Sequence, residues 1–353
     1  MPIDRTGSNT TIEIPNTVHQ YNIVHTLGRG PNSVQKLATN SEDGKKYALK
    51  FMPVCDLKAK GIMNNLLSMI KTVQTFNHPN ILKVYEYFEI ENPDSTDEKS
   101  DNVSHLLVVV QDYCARGTLL NLLSMEGRLS EVYARSLFTK MLQGISYLHG
   151  LKVVHRQLTL ESILITADDE IKITNFSYSH KLVQYQLLMT QCGTPIFAAP
   201  EIIKNQPYDG TKADMWALGV ILYTMVSGQM PWDSQKNAVE MINQIVSAKY
   251  AIPSYFSAFL SDLISHLLII QPESRLSADD CIIHSWIRNE STFQLRKDFS
   301  VPLQKRKSSS YSINSFAQND KSLRAVSRPV PKIIAPTRRR VVSKSVMLKN
   351  PPF

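Results

Sequence analysis

The hydrophobic pattern of this chain changes once, and the change restricts the folds that the chain is able to adopt. Over 21–53, apolar and polar residues alternate around glycine breaks, which is typical of a small antiparallel sheet. From Leu119 onward, apolar residues recur with helical spacing, interrupted by short strand-like segments at 163–165 and 171–174. A β-rich part followed by a larger helical part predicts an α+β fold with two lobes and a cleft between them.

Polar residues mark where several helices begin. Ser130 precedes a long amphipathic run that ends at His149. Two further sites match the capping box, in which a Ser or Thr and an acid three residues later satisfy backbone donors: Thr211 with Asp214, and Ser277 with Asp280. The apolar run 216–226 is shorter than the roughly 20 residues that span a bilayer, so it predicts a buried helix and no transmembrane segment. The remaining pattern predicts one helix and two strands: 66–76, 82–87 and 106–110.

A series of short motifs then gives the chain a recognisable order. They are LGRGPNS from Leu27, Ala48-Leu49-Lys50, HRQLTLES from His155, Asn175-Phe176-Ser177, Gly193-Thr194-Pro195, Ala199-Pro200-Glu201, Asp214-Met215-Trp216 and a late Arg275. In this order and spacing they resemble the motifs of eukaryotic protein kinases, most closely the calcium/calmodulin-dependent and SNF-type serine/threonine branch. The resemblance implies a bilobal protein-kinase-like domain over 21–287. It divides the chain into a polar lead-in (1–20), an N-lobe (about 21–112), a C-lobe (about 113–287) and a tail (288–353).

The resemblance also implies a cleft that holds ATP. Glycines allow the backbone amides of a strand turn to approach phosphates closely, and a strand lysine is placed to meet the α- and β-phosphates. The nucleotide-binding positions that match the family motifs are Leu27, Gly28, Gly30, Ala48, Lys50 and Leu164. His155 and Phe176, with Val73 and Val84, are expected to form a stacked apolar column that joins the lobes.

The departures from the family pattern fall on the positions that carry chemistry. Gln157 stands where the family has the aspartate that takes the proton of the substrate hydroxyl, and an amide does not accept that proton at neutral pH. Asn175 stands in place of a metal-binding aspartate, and Ser162 in place of the amide that binds a second metal. These changes predict impaired Mg²⁺ binding and no intact metal site.

Two further positions lack the charge that the family places there. Thr159 replaces a lysine that contacts the transferring phosphate, and Met69 occupies the helix position of the glutamate that pairs with Lys50. With no catalytic residue intact, the sequence predicts a pseudokinase that acts as a scaffold or allosteric regulator and still holds ATP. The alternative left open is an active, divergent serine/threonine kinase with other metal ligands, for which Glu161 is the nearest acid in the loop.

A regulatory site is suggested by the segment that follows this loop. Thr190 lies in a region that resembles an activation segment, where a phosphate on Thr190 would pair with Arg156. An unmodified surface threonine explains the residue equally well. The partners implied by this interpretation are an active kinase or its substrate.

The charge of the chain is unevenly distributed. Residues 288–353 contain 15 Lys and Arg against 3 Asp and Glu, so the tail is basic; it is also rich in Ser and Pro and predicted to be disordered. Its clusters KRK and RRR are suited to binding anionic lipid, nucleic acid or an import receptor; alternatively, they only increase solubility. A further alternative is that the tail lies on the acidic loop 91–101 of the same chain. Arg-x-x-Ser, which suits a basophilic kinase acting on the tail, recurs at Ser291, Ser309, Ser327 and Ser343.

The cysteines bear on the compartment in which the chain works. Cys55, Cys114, Cys192 and Cys281 are scattered without C-x-x-C spacing, which argues against a disulfide framework or a zinc site. Reduced thiols are typical of intracellular proteins, so a cytoplasmic or nuclear location is expected.

Overall fold

The computed structural model describes residues 14–30, 33–59, 61–91, 105–183, 186–233 and 237–288. Most of the acidic loop and nearly all of the basic tail fall outside these ranges, so the predictions made for them are not addressed by the structure. Within the described ranges, no helix is both long and apolar enough to cross a membrane.

The N-lobe is built on one six-stranded antiparallel sheet with the order β1-β2-β3-β4-β6-β5. Its strands are β1 (Thr17–Val18), β2 (Tyr21–Gly30), β3 (Ser33–Asn40), β4 (Lys46–Pro53), β5 (Val84–Glu91) and β6 (His105–Asp112). Two helices connect β4 to β5: α1 (Val54–Ala59) and α2 (Met63–Gln74). The predicted small antiparallel sheet and the helix near 66–76 are thus confirmed, with boundaries shifted by a few residues.

Alternation along β4 gives the sheet two different faces. Leu49 and Phe51 are fully buried in an apolar cluster with Val108 and Val110 of β6. Because successive side chains of a strand point to opposite faces, Lys50 lies on the other face of the sheet. The sheet therefore presents the candidate nucleotide residues away from its apolar cluster.

The C-lobe is mainly helical, as the sequence predicted. Its helices are α3 (Leu119–Glu126), α4 (Glu131–Gly150), α5 (Pro200–Ile203), α6 (Gly210–Ser227), α7 (Ala238–Val246), α8 (Ala258–Leu267), α9 (Ala278–Ile283) and α10 (Ser285–Arg288). Four short strands pair as β7 (Val153–Val154) with β10 (His180–Lys181), and β8 (Ile163–Ile165) with β9 (Ile171–Ile173). Helix α6 is buried continuously from Ala213 to Val226, which confirms the predicted buried helix. The architecture is the bilobal protein-kinase fold.

Helix starts were predicted well at two sites and wrongly at a third. The Ser130 hydroxyl accepts a bond from Tyr133 N at the start of α4, and Ser277 forms the predicted capping box with Asp280. The proposed Thr211 box is wrong: Asp209 caps α6 by accepting from Thr211 N, and α6 begins at Gly210. Asp214 is not available for capping because its carboxylate turns inward to the catalytic loop (155–162), where it accepts bonds from His155 N and Arg156 N.

A buried ion pair fixes two distant parts of the C-lobe to each other. The Arg275 guanidinium donates to both carboxylate oxygens of Glu201, at 2.6 and 2.7 Å. It also donates to backbone carbonyls of Ile269, Ile270 and Lys212, so its donors are shared among several segments. The pair therefore joins Glu201 of the Ala199-Pro200-Glu201 motif to the late Arg275.

Candidate functional site

The catalytic loop is held by one buried carboxylate. Asp214 of α6 accepts bonds from the backbone N–H groups of His155 and Arg156, both at 2.8 Å, and contacts His149 Nε2 at 3.0 Å. Arg156 has a φ of 63°, a left-handed conformation that is uncommon for a residue other than glycine. The two bonds to one carboxylate hold this conformation in place.

His155 and Phe176 pack together behind the loop. Their ring centroids lie 5.1 Å apart, and His155 Nε2 bonds to the backbone carbonyl of Thr174 at 2.8 Å. Phe176 also contacts Phe76, which follows helix α2. Val73 and Val84, the other expected members of the column, are both buried. The His155–Phe176 contact of the expected column is therefore present.

The burial of His155 makes a testable difference to stability. Burial lowers the pKa of this imidazole below the ordinary value of 6.5, although the Asp214 charge and the Thr174 carbonyl raise it in part. The folded state then binds fewer protons than the unfolded state just below about pH 6.5, so acidification favours unfolding. We expect the melting temperature to fall between about pH 7 and 5.5, and His155→Phe to reduce that slope.

Differential scanning fluorimetry of both proteins across this range checks the expectation. His78 keeps a residual slope in the variant, because burial lowers the pKa of His78 as well. Equal slopes in the two proteins would show that His155 contributes nothing.

The two substituted residues at the centre of the site bond to each other. Asn175 Nδ2 donates to Gln157 Oε1 at 3.0 Å, across 18 residues of sequence. Asn175 adopts a left-handed conformation, with φ 69° and ψ 55°, which asparagine tolerates better than most residues. A neutral amide pair therefore occupies the place where the family pattern has two carboxylates.

Ser162 is also committed to a local contact. Its hydroxyl accepts a bond from Thr159 N and donates to Thr159 O, both at 2.9 Å, within the short turn Leu160–Ser162. Ser162 and Thr159 are both buried. Glu161, the acid considered as a substitute, is exposed to solvent in the same turn.

Mg²⁺ finds no carboxylate ligand at Gln157, Asn175 or Ser162. It prefers carboxylate and phosphate oxygens in octahedral geometry, whereas the amide pair and the Ser162 hydroxyl are neutral and already bonded. Among the described residues, no three His, Cys, Asp or Glu side chains are grouped to hold a metal ion.

Lys50 has no acidic partner in the described part of the chain. Helix α2, which carries Met69, contains no Asp or Glu along its whole length. No described carboxylate forms an ion pair with the Lys50 ammonium. Burial lowers the pKa of Lys50, and no nearby charge offsets that shift.

The predicted nucleotide residues of the N-lobe lie close together in the sheet. Gly28 is paired with Gln35, and Gln35 with Lys50, on three adjacent strands. Ala48 is buried on the same face of β4 as Lys50, and Leu27 is partly exposed on β2. Leu164 lies apart from them in the C-lobe, half-buried on β8.

The two glycines of β2 differ in their surroundings. A Cβ on Gly30 would lie 2.7 Å from the Ser33 hydroxyl, whereas a Cβ on Gly28 would meet nothing within 4 Å. The folded chain therefore leaves open space beside Gly28.

Sequence reasoning missed Gln111, which the structure adds to this face of the sheet. Gln111 of β6 is paired with Ala48 and is buried, with 6% of its surface exposed. The available signal was a polar residue directly after the apolar run 106–110. The face thus presents Gln35, Lys50 and Gln111, two amides and one cation.

Tyr208 lies between the two regulatory candidates, Thr190 and Arg156, and interacts with both. The Tyr208 hydroxyl donates to the Thr190 carbonyl at 2.9 Å, and its side chain also interacts with Arg156. Burial raises the pKa of Tyr208 to about 12, so the phenol stays protonated. Thr190 itself is exposed, while Arg156 Nε donates to the Tyr178 carbonyl at 2.6 Å. A regulatory phosphate on Thr190 remains a prediction.

Comparisons with known proteins agree with this fold. The family model described as "Protein kinase domain" matches residues 21–287. The chain is 32% identical over 287 residues to the SNF1-related protein kinase catalytic subunit alpha KIN12 of Arabidopsis thaliana, covering 81% of this chain and 55% of that protein. It is 35% identical over 274 residues to the human NUAK family SNF1-like kinase 1, covering 77% of this chain and 39% of that protein.

A third relative provides a similar match. The probable serine/threonine-protein kinase MARK-A of Dictyostelium discoideum is 30% identical over 284 residues, covering 80% of this chain and 25% of that protein. The chain thus spans about half or less of the length of these curated relatives. By its matched domain and its bilobal fold, the chain belongs to the protein kinase family and is similar to SNF1-related kinases.

Proposed function

We propose that this chain is a pseudokinase, which regulates phosphorylation signalling as a scaffold or allosteric partner and retains a cleft for ATP. The observation that carries the proposal is the bond between Asn175 and Gln157. Neither amide accepts a proton from a substrate hydroxyl, and neither supplies the negative charge that a bridging metal requires. Loss of a general base alone costs about 10²–10⁴-fold in rate.

The surrounding frame supports a binding role. Asp214 still holds the catalytic loop, and the Glu201–Arg275 pair still holds the C-lobe, so the domain keeps defined surfaces without the chemistry. The partner class that fits this role is an active kinase or its substrate. The relatives have kinase names, but a shared fold does not imply a shared activity, so the activity is judged from the residues of the site.

A phosphoryl-transfer assay on the full chain tests this function. The chain is incubated with radiolabelled ATP and Mg²⁺ or Mn²⁺, with and without generic serine/threonine substrates, beside an active SNF1-related kinase as positive control. We expect incorporation at background level, indistinguishable from that of Lys50→Ala. Incorporation that Lys50→Ala abolishes would show an active enzyme and overturn the proposal.

A further inference from the structure

The charge balance of the cleft is unusual because Lys50 has no counter-charge among the residues that the structure describes. The Lys50 ammonium forms no ion pair with any described carboxylate, and α2 provides no acid. A cation removed from water without a partner is unfavourable, so an anion that reaches Lys50 relieves this cost.

The same cleft has little to offer a divalent cation. The side-chain amides of Gln157 and Asn175 are hydrogen-bonded to each other, and the Ser162 hydroxyl makes two hydrogen bonds with the backbone of Thr159. The residues paired around Lys50 and Ala48 on neighbouring strands, Gln35 and Gln111, are also neutral. The net charge presented by these positions is therefore positive.

Gly28 provides the space that an anion needs. Its φ is not positive, and a Cβ there would meet nothing, so neither backbone strain nor packing requires a glycine. It is paired with Gln35, which is paired with Lys50, so Gly28 is two strands from the lysine, about 10 Å. The absence of a side chain leaves room beside Gly28, two strands from Lys50 in the same sheet.

We infer that this cleft binds a nucleoside triphosphate as the free polyanion and that chelation of the nucleotide by Mg²⁺ weakens binding. The inference rests on the ATP-holding role proposed above and specifies the ionic form of its ligand. Chelation lowers the net negative charge of the nucleotide by two, because the bound Mg²⁺ brings two positive charges into the region of Lys50. The side chains of Gln157, Asn175 and Ser162 carry no negative charge that would offset the repulsion between these charges and the Lys50 ammonium.

Isothermal titration calorimetry on the full chain distinguishes the two ligand forms. ATP is titrated in EDTA and in excess MgCl₂ at matched ionic strength, because screening alone alters such affinities. We expect the dissociation constant to be at least about fivefold lower in EDTA than in Mg²⁺. Equal or tighter binding in Mg²⁺, or no binding in either buffer, would overturn the inference.

Three variants assign the effect to the cleft. Lys50→Met is expected to abolish binding in EDTA while leaving the unliganded melting temperature unchanged or higher, because it removes an unpaired cation. Lys46→Met, on the exposed end of the same strand, is the matched control and is expected to bind as the native chain does. Met69→Glu places a carboxylate at the α2 position that the family pattern pairs with Lys50, and it is expected to reduce the preference for metal-free ATP; an unchanged preference contradicts the charge argument.

The two proposals fail in different ways. Tighter binding of the Mg²⁺ complex without phosphoryl transfer would refute the free-anion inference and leave the pseudokinase proposal standing. Phosphoryl transfer that depends on Lys50 would refute the pseudokinase proposal itself.

Discussion

Arg275→Leu is expected to lower the free energy of unfolding by about 3–5 kcal/mol, because it leaves the Glu201 carboxylate buried without its cation. The Arg275 guanidinium is fully buried, and it also satisfies carbonyls of Ile269, Ile270 and Lys212 that would lose their donor. It lies 5.0 Å from the Trp216 ring, so packing is lost together with charge. Urea unfolding followed by tryptophan fluorescence measures the change.

The exposed Lys45–Asp43 pair provides the control for this prediction. Its atoms are 3.9 Å apart and the Lys45 side chain is 75% exposed, so Lys45→Ala is expected to cost less than about 1 kcal/mol. A cost for Arg275→Leu as small as that of Lys45→Ala would mean that the buried pair does not hold the C-lobe together.

Asp214→Ala is expected to have the second largest effect, about 2–5 kcal/mol, because two buried N–H groups lose their acceptor. Those N–H groups belong to His155 and Arg156, and the left-handed conformation of Arg156 loses the contact that stabilises it. The catalytic loop should therefore loosen locally. Hydrogen exchange is expected to show lost protection at 155–156, and urea unfolding gives the total cost.

Two further substitutions separate this anchoring role from general charge removal. Asp214→Asn keeps one carbonyl acceptor and is expected to retain protection at one of the two N–H groups. Asp262→Ala removes an acid that also contacts two histidines, His266 and His284, but is 53% exposed, so it is expected to cost less than about 1 kcal/mol. Unchanged protection at 155–156 in Asp214→Ala would contradict the anchoring role.

Elements with strong local signals were predicted closely from the sequence. The alternation within the N-lobe strands, the helix from Ser130 and the Ser277 capping box all depend on neighbours within a few residues. The error at Thr211 has a nonlocal cause: Asp214 fitted a local capping pattern, but the catalytic loop, 58 residues away, takes its carboxylate. Sequence spacing alone does not show which backbone N–H groups will donate to a given carboxylate.

For the candidate site too, some features were predictable from the sequence and others were not. The residue types at Gln157, Ser162 and Asn175 were sufficient to predict the loss of charged groups, since charge is a property of the side chain itself. Two features depend on segments that only the folded chain brings together. One is the hydrogen bond between Gln157 and Asn175, and the other is the position of Gln111 on the same sheet face as Lys50.

The sequence by itself determined the kinase family, the two lobes and the chemical identity of the groups that line the cleft. These follow from local periodicity, motif order and side-chain type, which need no knowledge of distant contacts. Only the tertiary structure decided how those groups are satisfied: Asp214 accepts bonds from the catalytic loop, the two amides bond to each other, and no described carboxylate pairs with Lys50. The physical reason is that hydrogen bonds and desolvation depend on distances between residues far apart in the chain.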